Sequence, residues 1–248
     1  MWPFDDKETR RIKKIIKEIK KLTVKELRDK GLVSLYLAGT ILTKDRTPQS
    51  DIDLFGIVTS EFDIIKEENN VNAIFKKKQR SLCGGFETRF RALGVDELEG
   101  GKPRGSIAKY IGISAAVKQW RFYKKLWGKR IDFSKFKIEH NLEDEARNCI
   151  GFLEAFIKDL KKGKELYPRP NFIKRVLHLS RIEAEKYHNF KFHPSFKKLA
   201  QYLLAERKHI IHEAMELRYK RVSKRDIEKF VKEVETYIKD IKERMKLK

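Results

Sequence analysis

The sequence predicts an α/β domain, in which helices flank a small mixed sheet, followed by an all-helical bundle. Two patterns support this division. Short segments in which apolar and polar residues alternate, as they do in half-buried strands, occur only in the first part of the chain. From about residue 134 onward, apolar residues recur at helical spacing instead. We therefore expect two domains, at residues 1–133 and 134–248.

The first domain begins with an amphipathic pattern and then alternates between strand and helix signals. Isoleucine and leucine recur at helical spacing in the opening segment, and lysines fill the other positions. The predicted elements, in order, are a helix over 5–30, strands over 33–38 and 51–58, a helix over 61–78 with a break near Asn69 and Asn70, a strand over 86–93, a glycine-rich basic loop over 97–106, a helix over 107–126 and a short extended piece over 126–131.

The second domain shows helical periodicity only. Glycine and proline residues separate the periodic stretches, which predict helices over 142–163, 170–188, 194–220 and 223–246. The last helix carries an apolar seam from Ile227 to Met245. Such a seam packs either on its own bundle or on a second copy of the chain, so a homodimer through the helical domain is one interpretation.

The charge of the chain restricts its partners. Lysine and arginine number 58 against 36 aspartates and glutamates, which gives a formal net charge of +22. This excess favours polyanionic partners, most often nucleic acid. A charged fraction of 38% is also typical of proteins from hot environments, but a high content of charged residues does not explain why the net charge is positive. Aromatic residues interleave with the bases of segment 118–130, where they either stack nucleotide bases or pack in the core.

Cysteine usage and hydropathy predict a cytoplasmic protein. Cys83 and Cys149 are far apart and form neither a zinc-binding nor a disulfide pattern, which favours a reducing compartment. No apolar run approaches the roughly 18 residues that a membrane span requires. The amino terminus carries Asp5 and Asp6 instead of a signal-peptide pattern. We therefore expect no membrane partner.

Two carboxylates stand at the start of the second predicted strand. Asp51 and Asp53 are two residues apart, so they share one face of the strand while Ile52 and Leu54 share the other. Two such acids repel each other unless a positive charge lies between them. Paired hard oxygen ligands suit Mg²⁺, which carboxylates and substrate phosphates usually hold together. The alternative is turn chemistry at a solvated strand start.

The neighbouring residues make the pair more specific. Gly39 and Thr40, followed by ten residues and then Asp51-Ile52-Asp53, resemble the glycine-serine, ten residues, Asp-x-Asp signature of the nucleotidyltransferase superfamily, which includes DNA polymerase beta, CCA-adding enzymes and kanamycin nucleotidyltransferase. The resemblance covers roughly residues 33–93. It departs at Thr40, which replaces the usual serine, and at Lys44, where many relatives have a second glycine.

The resemblance implies transfer of a nucleoside monophosphate from a nucleoside triphosphate to an acceptor hydroxyl, with pyrophosphate released. Two Mg²⁺ ions would be bridged by the two aspartates, and Glu87, on the third strand, would be the third catalytic carboxylate. The alternative for Glu87 is a cross-strand ion pair with an arginine. The nucleotide-binding candidates are Gly39, for close backbone approach, the hydroxyls of Thr40 and Ser50, and the cations Lys44 and Arg89.

The sequence leaves the acceptor and two other functions open. The positive charge favours RNA, for example tRNA, and disfavours a cationic aminoglycoside, while a protein acceptor stays open. A second hypothesis is a catalytically weak or inactive nucleic-acid-binding or antitoxin-like protein with the same fold. A third is a HEPN-like ribonuclease, suggested by the arginine–histidine spacings Arg181 with His188 and Arg207 with His212.

Overall fold

The computed structural model describes residues 7–43, 45–46, 50–110, 112–136, 141–164, 169–206, 208–220 and 223–247. The chain divides into two compact units, residues 1–140 and 141–248. The predicted boundary lies seven residues earlier along the chain. Among the described residues, no helix is both long enough and apolar enough to cross a membrane.

A four-stranded mixed sheet forms the centre of the first unit. Its strands are β1 (Leu32–Ala38), β2 (Ile52–Val58), β3 (Thr88–Gly94) and β4 (Lys124–Gly128), in the spatial order β3-β2-β1-β4. β1 runs antiparallel to both β2 and β4, and β2 runs parallel to β3. The predicted small mixed sheet with flanking helices is confirmed.

The helices of the first unit cover both faces of this sheet. They are α1 (Lys7–Leu27), α2 (Ile64–Lys77), α3 (Val95–Leu98), α4 (Ser106–Tyr110) and α5 (Ile113–Trp120). Buried residues of α1 and α2 pack on the face that carries Leu35, Leu37 and Leu54. The opposite face carries Phe55 and Ile57, and α5 covers it with Trp120. Strand alternation therefore gives the sheet two separate apolar layers.

Two predictions in the first unit are wrong. The expected break near Asn69 and Asn70 is absent, because α2 continues through them and the Asn70 side chain donates to Glu67 (3.3 Å). The single helix expected over 107–126 is α4 and α5, separated at Gly112, whose φ of +84° does not fit a helix. Its last residues belong to β4, where pairing with β1 satisfies their backbone groups.

The second unit contains helices and no strand among its described residues, as predicted. Its helices are α6 (Leu142–Lys161), α7 (Arg169–Tyr187), α8 (Phe196–Tyr202), α9 (Ile211–Tyr219) and α10 (Lys224–Arg244). The apolar seam predicted for the last helix is buried in this unit's own core. Ser223 and Asp226 cap α10 reciprocally: the Asp226 N–H donates to Ser223 Oγ (3.2 Å), and the Ser223 N–H donates to Asp226 Oδ2 (2.8 Å).

The single helix expected over 194–220 is wrong, because α8 and α9 are separate. Histidine side chains form hydrogen bonds with backbone groups at this break. His212 Nε2 lies 3.1 Å from the Leu203 carbonyl oxygen, at the end of α8. His209 Nδ1 accepts from the Ile211 N–H (3.1 Å), at the start of α9. These local bonds replace the helical bonds that a continuous helix would need.

A buried carboxylate ties three segments of this unit together. Glu183, on α7, is 3% exposed, and its Oε2 lies 3.0 Å from His209 Nε2. It also accepts hydrogen bonds from the Tyr237 hydroxyl and the Arg244 guanidinium, both on α10. Burial alone would raise the pKa of Glu183, but the bonds from His209, Tyr237 and Arg244 outweigh it and lower the pKa from 4.5 to about 2.

This lowered pKa predicts acid sensitivity. A carboxylate with a depressed folded-state pKa stabilises the protein above its unfolded-state pKa and loses that contribution as pH falls through the folded value. We expect the free energy of unfolding to fall by about 3 kcal/mol between pH 4.5 and 2 through Glu183. Urea denaturation followed by circular dichroism should show a shallower pH dependence for Glu183→Gln. Glu228→Gln, an exposed change on α10, is the control, and equal pH dependence of all three proteins would contradict the assignment.

Candidate active site

The paired carboxylates lie where β1 ends and β2 begins. Asp51 directly precedes β2, and Asp53 pairs in register with Ala38, the last residue of β1. Both aspartates are partly exposed, whereas the alternate residues Ile52 and Leu54 are buried in the layer beneath α1 and α2. The two carboxylates therefore share the other face of the sheet, on the side that α5 covers.

Gly39 leaves room for one of these carboxylates. It directly follows β1 with φ of +82°, a value that L-residues with side chains rarely adopt. A Cβ atom at this position would lie 2.9 Å from Asp53 Oδ2. A larger residue would therefore strain the backbone and crowd the carboxylate. The backbone conformation favours glycine here, and the position of Asp53 adds to that preference.

Two hydroxyls connect the ends of the loop between β1 and β2. Thr40 opens a single 3₁₀ turn, Thr40–Leu42, and its Oγ1 lies 3.1 Å from Ser50 Oγ. This contact joins the residue after Gly39 to the residue before Asp51. Ser50 directly precedes Asp51, and the contact holds the Thr40 hydroxyl at the same end of the loop. Lys44 lies outside the described residues.

The parallel strand β3 brings a positive charge to the pair. Arg89 is opposite Asp53 in the register, and the same register, extended by one residue, sets Glu87 opposite Asp51. Burial alone would lower the pKa of the Arg89 guanidinium. Its hydrogen bond to Glu87 and the negative charges of Glu87, Asp51 and Asp53 nevertheless raise the pKa above its ordinary value. Arg89 is therefore a cation that offsets the charge of the aspartates.

Glu87 is engaged with this arginine. Its carboxylate accepts a hydrogen bond from Arg89 Nε (3.0 Å), and its side chain is 59% exposed. Glu87 is therefore in an ion pair with an arginine, but the partner is two residues further along the chain, on β3, and not on a neighbouring strand as the alternative expected. Among the described residues, no three side chains of histidine, cysteine, aspartate or glutamate are grouped to hold a metal ion. The role of Glu87 as a third metal-binding carboxylate stays a prediction.

Asp51 and Asp53 are suitable for one divalent cation. They supply hard oxygen ligands from one strand face, and the missing side chain of Gly39 keeps the space beside Asp53 Oδ2 free of a Cβ atom. The positive charge of Arg89 lies on the same strand pair, where it also suits a phosphate group. This donor set matches an ion shared between protein carboxylates and substrate phosphates.

Tyr123 lies near this site, and no sequence signal identified its role. Burial first, and then the charge of Asp53, raise the pKa of its hydroxyl above the ordinary value. Its ring contacts Phe55 and Trp120, with centroids 5.4 Å and 5.7 Å apart. The aromatic residues between α5 and β4 indicated only core packing or base stacking. The turn that brings Tyr123 to Asp53 becomes visible only in the structure.

The arginine and histidine residues of the helical unit have structural partners. Arg181 is 4% exposed and donates to the Pro194 carbonyl oxygen (3.1 Å), and its guanidinium lies over the Phe196 ring (4.3 Å). His188 Nδ1 lies 2.8 Å from a carboxylate oxygen of Glu206. These contacts stabilise the unit itself and do not present an arginine and a histidine together to solvent. Arg207 lies outside the described residues.

The order of strands and helices identifies the fold. The chain has the nucleotidyltransferase fold that the glycine and Asp-x-Asp spacing predicted, with a helical region after it. No protein-family model matches the sequence. No curated protein matches it either.

A solved structure shows the likeness. The chain is similar to spectinomycin adenyltransferase AAD(9) from Enterococcus faecialis, whose structure was solved with ATP and spectinomycin. The TM-score is 0.61, and the match covers 91% of this chain and 98% of that chain. Sequence identity is 13%, so the likeness is one of fold.

The geometry at Gly39 predicts a specific cost for a side chain there. Gly39→Ala adds both backbone strain and crowding of Asp53, so we expect a loss of about 2 kcal/mol or more in the free energy of unfolding. Gly85→Ala is the matched control, because Gly85 has a similar φ of +89° but no atom within 4 Å of the position that a Cβ would take. It should cost about 1 kcal/mol. Equal losses in urea denaturation would show that the contact with Asp53 does not matter.

Proposed function

We propose that this protein is a Mg²⁺-dependent nucleotidyltransferase. It would move a nucleoside monophosphate from a nucleoside triphosphate to an acceptor hydroxyl. The observation that carries the proposal is the placement of Asp51 and Asp53 on one strand face, beside a glycine that leaves space for the Asp53 carboxylate. The fold, which is similar to that of an adenyltransferase solved with ATP, supports the same reaction class.

The residues around the two aspartates have two kinds of role. Some would hold the metal ion or offset the charge of the phosphates, and others would donate hydrogen bonds to phosphate oxygens. Asp51 and Asp53 would hold an ion that neutralises the triphosphate, and a second ion, held with Glu87, would lower the pKa of the attacking hydroxyl. Thr40 and Ser50 would donate hydrogen bonds to phosphate oxygens, and Arg89 would add a positive charge. Lys44 is a further predicted cation of the phosphate loop.

The reaction needs a new bond at the α-phosphorus and a place for one proton. The acceptor oxygen attacks the α-phosphorus, and the bond from that phosphorus to the bridging oxygen of pyrophosphate breaks. The hydroxyl proton leaves to a base, for which Glu87 is the candidate. In the structure Glu87 is bonded to Arg89. We infer that a triphosphate competes with Glu87 for Arg89 and so frees the Glu87 carboxylate. The predicted second Mg²⁺ would also require a free Glu87 carboxylate.

RNA, for example tRNA, is the acceptor class that the charge favours. A formal net charge of +22 attracts a polyanion and repels a cation. AAD(9) was solved with spectinomycin, a small-molecule ligand, so a small molecule is the competing acceptor class. The positive charge of this chain supports RNA over a cationic aminoglycoside. The predicted cytoplasmic location and homodimer stay predictions.

A transfer assay tests this proposal. The protein is incubated with each α-labelled nucleoside triphosphate, Mg²⁺ and total RNA, and label on RNA is measured. Because each aspartate binds the ion, Asp51→Asn or Asp53→Asn should lower the rate on the order of 1,000-fold or more. Glu87→Gln should lower it on the order of 100-fold, since a general base is removed. Glu99→Gln, an exposed change in the first unit away from both the aspartates and α1, is the control and should change nothing.

Three outcomes would contradict the proposal. Normal transfer by Asp51→Asn and Asp53→Asn would exclude the paired carboxylates as the metal-binding residues of the reaction. Cleavage of RNA without a metal, lost in His188→Ala, would indicate the ribonuclease hypothesis. Salt-sensitive RNA binding without any transfer to RNA or to small-molecule hydroxyls would indicate a non-catalytic protein of this fold. Unchanged circular dichroism spectra must accompany each variant.

A further inference from the structure

The aromatic residues of segment 118–130 have different fates in the structure. Trp120 is 2% exposed and lies in the core beneath α5, so core packing explains it. Tyr123 packs against the same cluster. Trp127, on β4, is only partly buried, and it lies on the other side of the sheet, with the layer that α1 covers. Its ring also borders open space.

That space is a cavity of about 330 Å³ between the end of α1 and the edge strand β4. One tryptophan, one valine and four cations surround it: Lys20, Lys21, Val24, Lys25, Arg28 and Trp127. We refer to it as the Trp127 cavity. Its volume is at the lower end of the roughly 300–1,000 Å³ typical of sites for small ligands. Its size suits one nucleotide, and it is open to solvent on one side.

The helix geometry explains why the cations gather there. Lys21, Lys25 and Arg28 are spaced by four and three residues, so they form one stripe along α1 and into the turn that follows it. The adjacent stripe, with Ile19 and Leu27, is buried and fixes the helix against the sheet. The cations are thus held beside β4 by the same amphipathic pattern that forms the core.

The cavity keeps an excess of positive charge after its local ion pairs are counted. Lys21 pairs with Glu18 (3.1 Å) and Arg28 with Asp29 (3.3 Å), but all four side chains are at least half exposed, where such pairs are weak. Within the described part of the chain, no ion pair of Lys20 or Lys25 is present. An anionic group in the cavity would therefore meet four cations and few competing acids.

We propose that the Trp127 cavity binds single-stranded nucleic acid, with one base stacked on Trp127 and the adjoining phosphates on the surrounding cations. An aromatic ring beside clustered lysines is the combination that single strands need, because every base offers a stacking face and every linkage a charge. A duplex keeps its bases stacked on one another, so it cannot place one in a recess. A membrane surface needs protruding apolar residues, whereas Trp127 packs back against the core.

This site is separate from the candidate active site. Asp51 and Asp53 share the face that α5 covers, whereas Trp127 and α1 belong to the opposite face. The inference therefore goes beyond nucleotidyl transfer and does not depend on it. A protein without any transfer activity would bind the strand in the same way.

The test is fluorescence anisotropy with a labelled single-stranded RNA of about 12 nucleotides, long enough to cover such a site. Lys21→Ala/Lys25→Ala removes two cations of the cavity. Lys14→Ala/Lys17→Ala removes two exposed cations from the same helix outside it and is the matched control. We expect the cavity pair to weaken binding on the order of tenfold and to reduce the slope of log K against log salt by about 1.4. The control pair should change affinity by no more than about twofold.

Substitutions at Trp127 test the stacking separately. Trp127→Leu should weaken binding on the order of tenfold without changing the salt slope, and Trp127→Phe should restore most of it. The same measurement with a labelled DNA strand of the same sequence shows whether the site prefers RNA. Binding of RNA alone and binding of both RNA and DNA each support a single-strand site. The lysine pairs keep the test valid if Trp127→Leu unfolds, because their side chains are exposed.

Three results would overturn the proposal. Equal weakening by the two lysine pairs would show only unspecific attraction to a basic protein. Tighter binding of duplex than of single-stranded RNA, lost in the cavity pair, would exclude base stacking. Binding to vesicles with about a quarter of anionic lipid, lost in the cavity pair while RNA binding is unchanged, would assign the surface to a membrane.

Discussion

The close approach of the Asp53 carboxylate to the Gly39 backbone is the constraint on which the proposed chemistry depends. It arises from the antiparallel register of β1 and β2, which sets Ala38 opposite Asp53. With a Cβ atom excluded at the next residue, the carboxylate can lie against the turn. The buried alternate residues of both strands fix this register, because a slip by one residue would turn the acids into the core.

The electrostatics of the site follow from the same sheet. Three carboxylates and one guanidinium meet where β2 and β3 start side by side, and the acids raise the pKa of Arg89. Arg89 therefore stays charged and offsets the repulsion between Asp51 and Asp53 when no cation is bound. Arg89 also donates a hydrogen bond to Glu87. An anionic substrate that bonds to Arg89 in place of Glu87 would release the Glu87 carboxylate. Tyr123 lies on the same side, where its hydroxyl is buried and the charge of Asp53 contributes to raising its pKa.

The features that the sequence predicted are those set by local periodicity and spacing. Alternation around Asp51 and Asp53 predicted their shared face, and the ten-residue spacing from Thr40 predicted the fold that the structure confirms. The failures have physical causes. Gly112 and β4 interrupt a helical pattern because backbone pairing with a distant strand outweighs local propensity. Tyr123 and the Trp127 cavity depend on contacts between segments far apart in the chain, which periodicity does not report.

The most direct test of the paired-carboxylate site is a crystal structure of the protein with Mg²⁺ and a non-hydrolysable nucleoside triphosphate. We expect an ion about 2.1 Å from oxygens of both Asp51 and Asp53, shared with the phosphates. The triphosphate should lie beside Gly39, with Arg89 turned from Glu87 toward a phosphate. A triphosphate bound elsewhere, or an ion that contacts neither aspartate, would contradict the assignment of Asp51 and Asp53 as the residues that hold the ion.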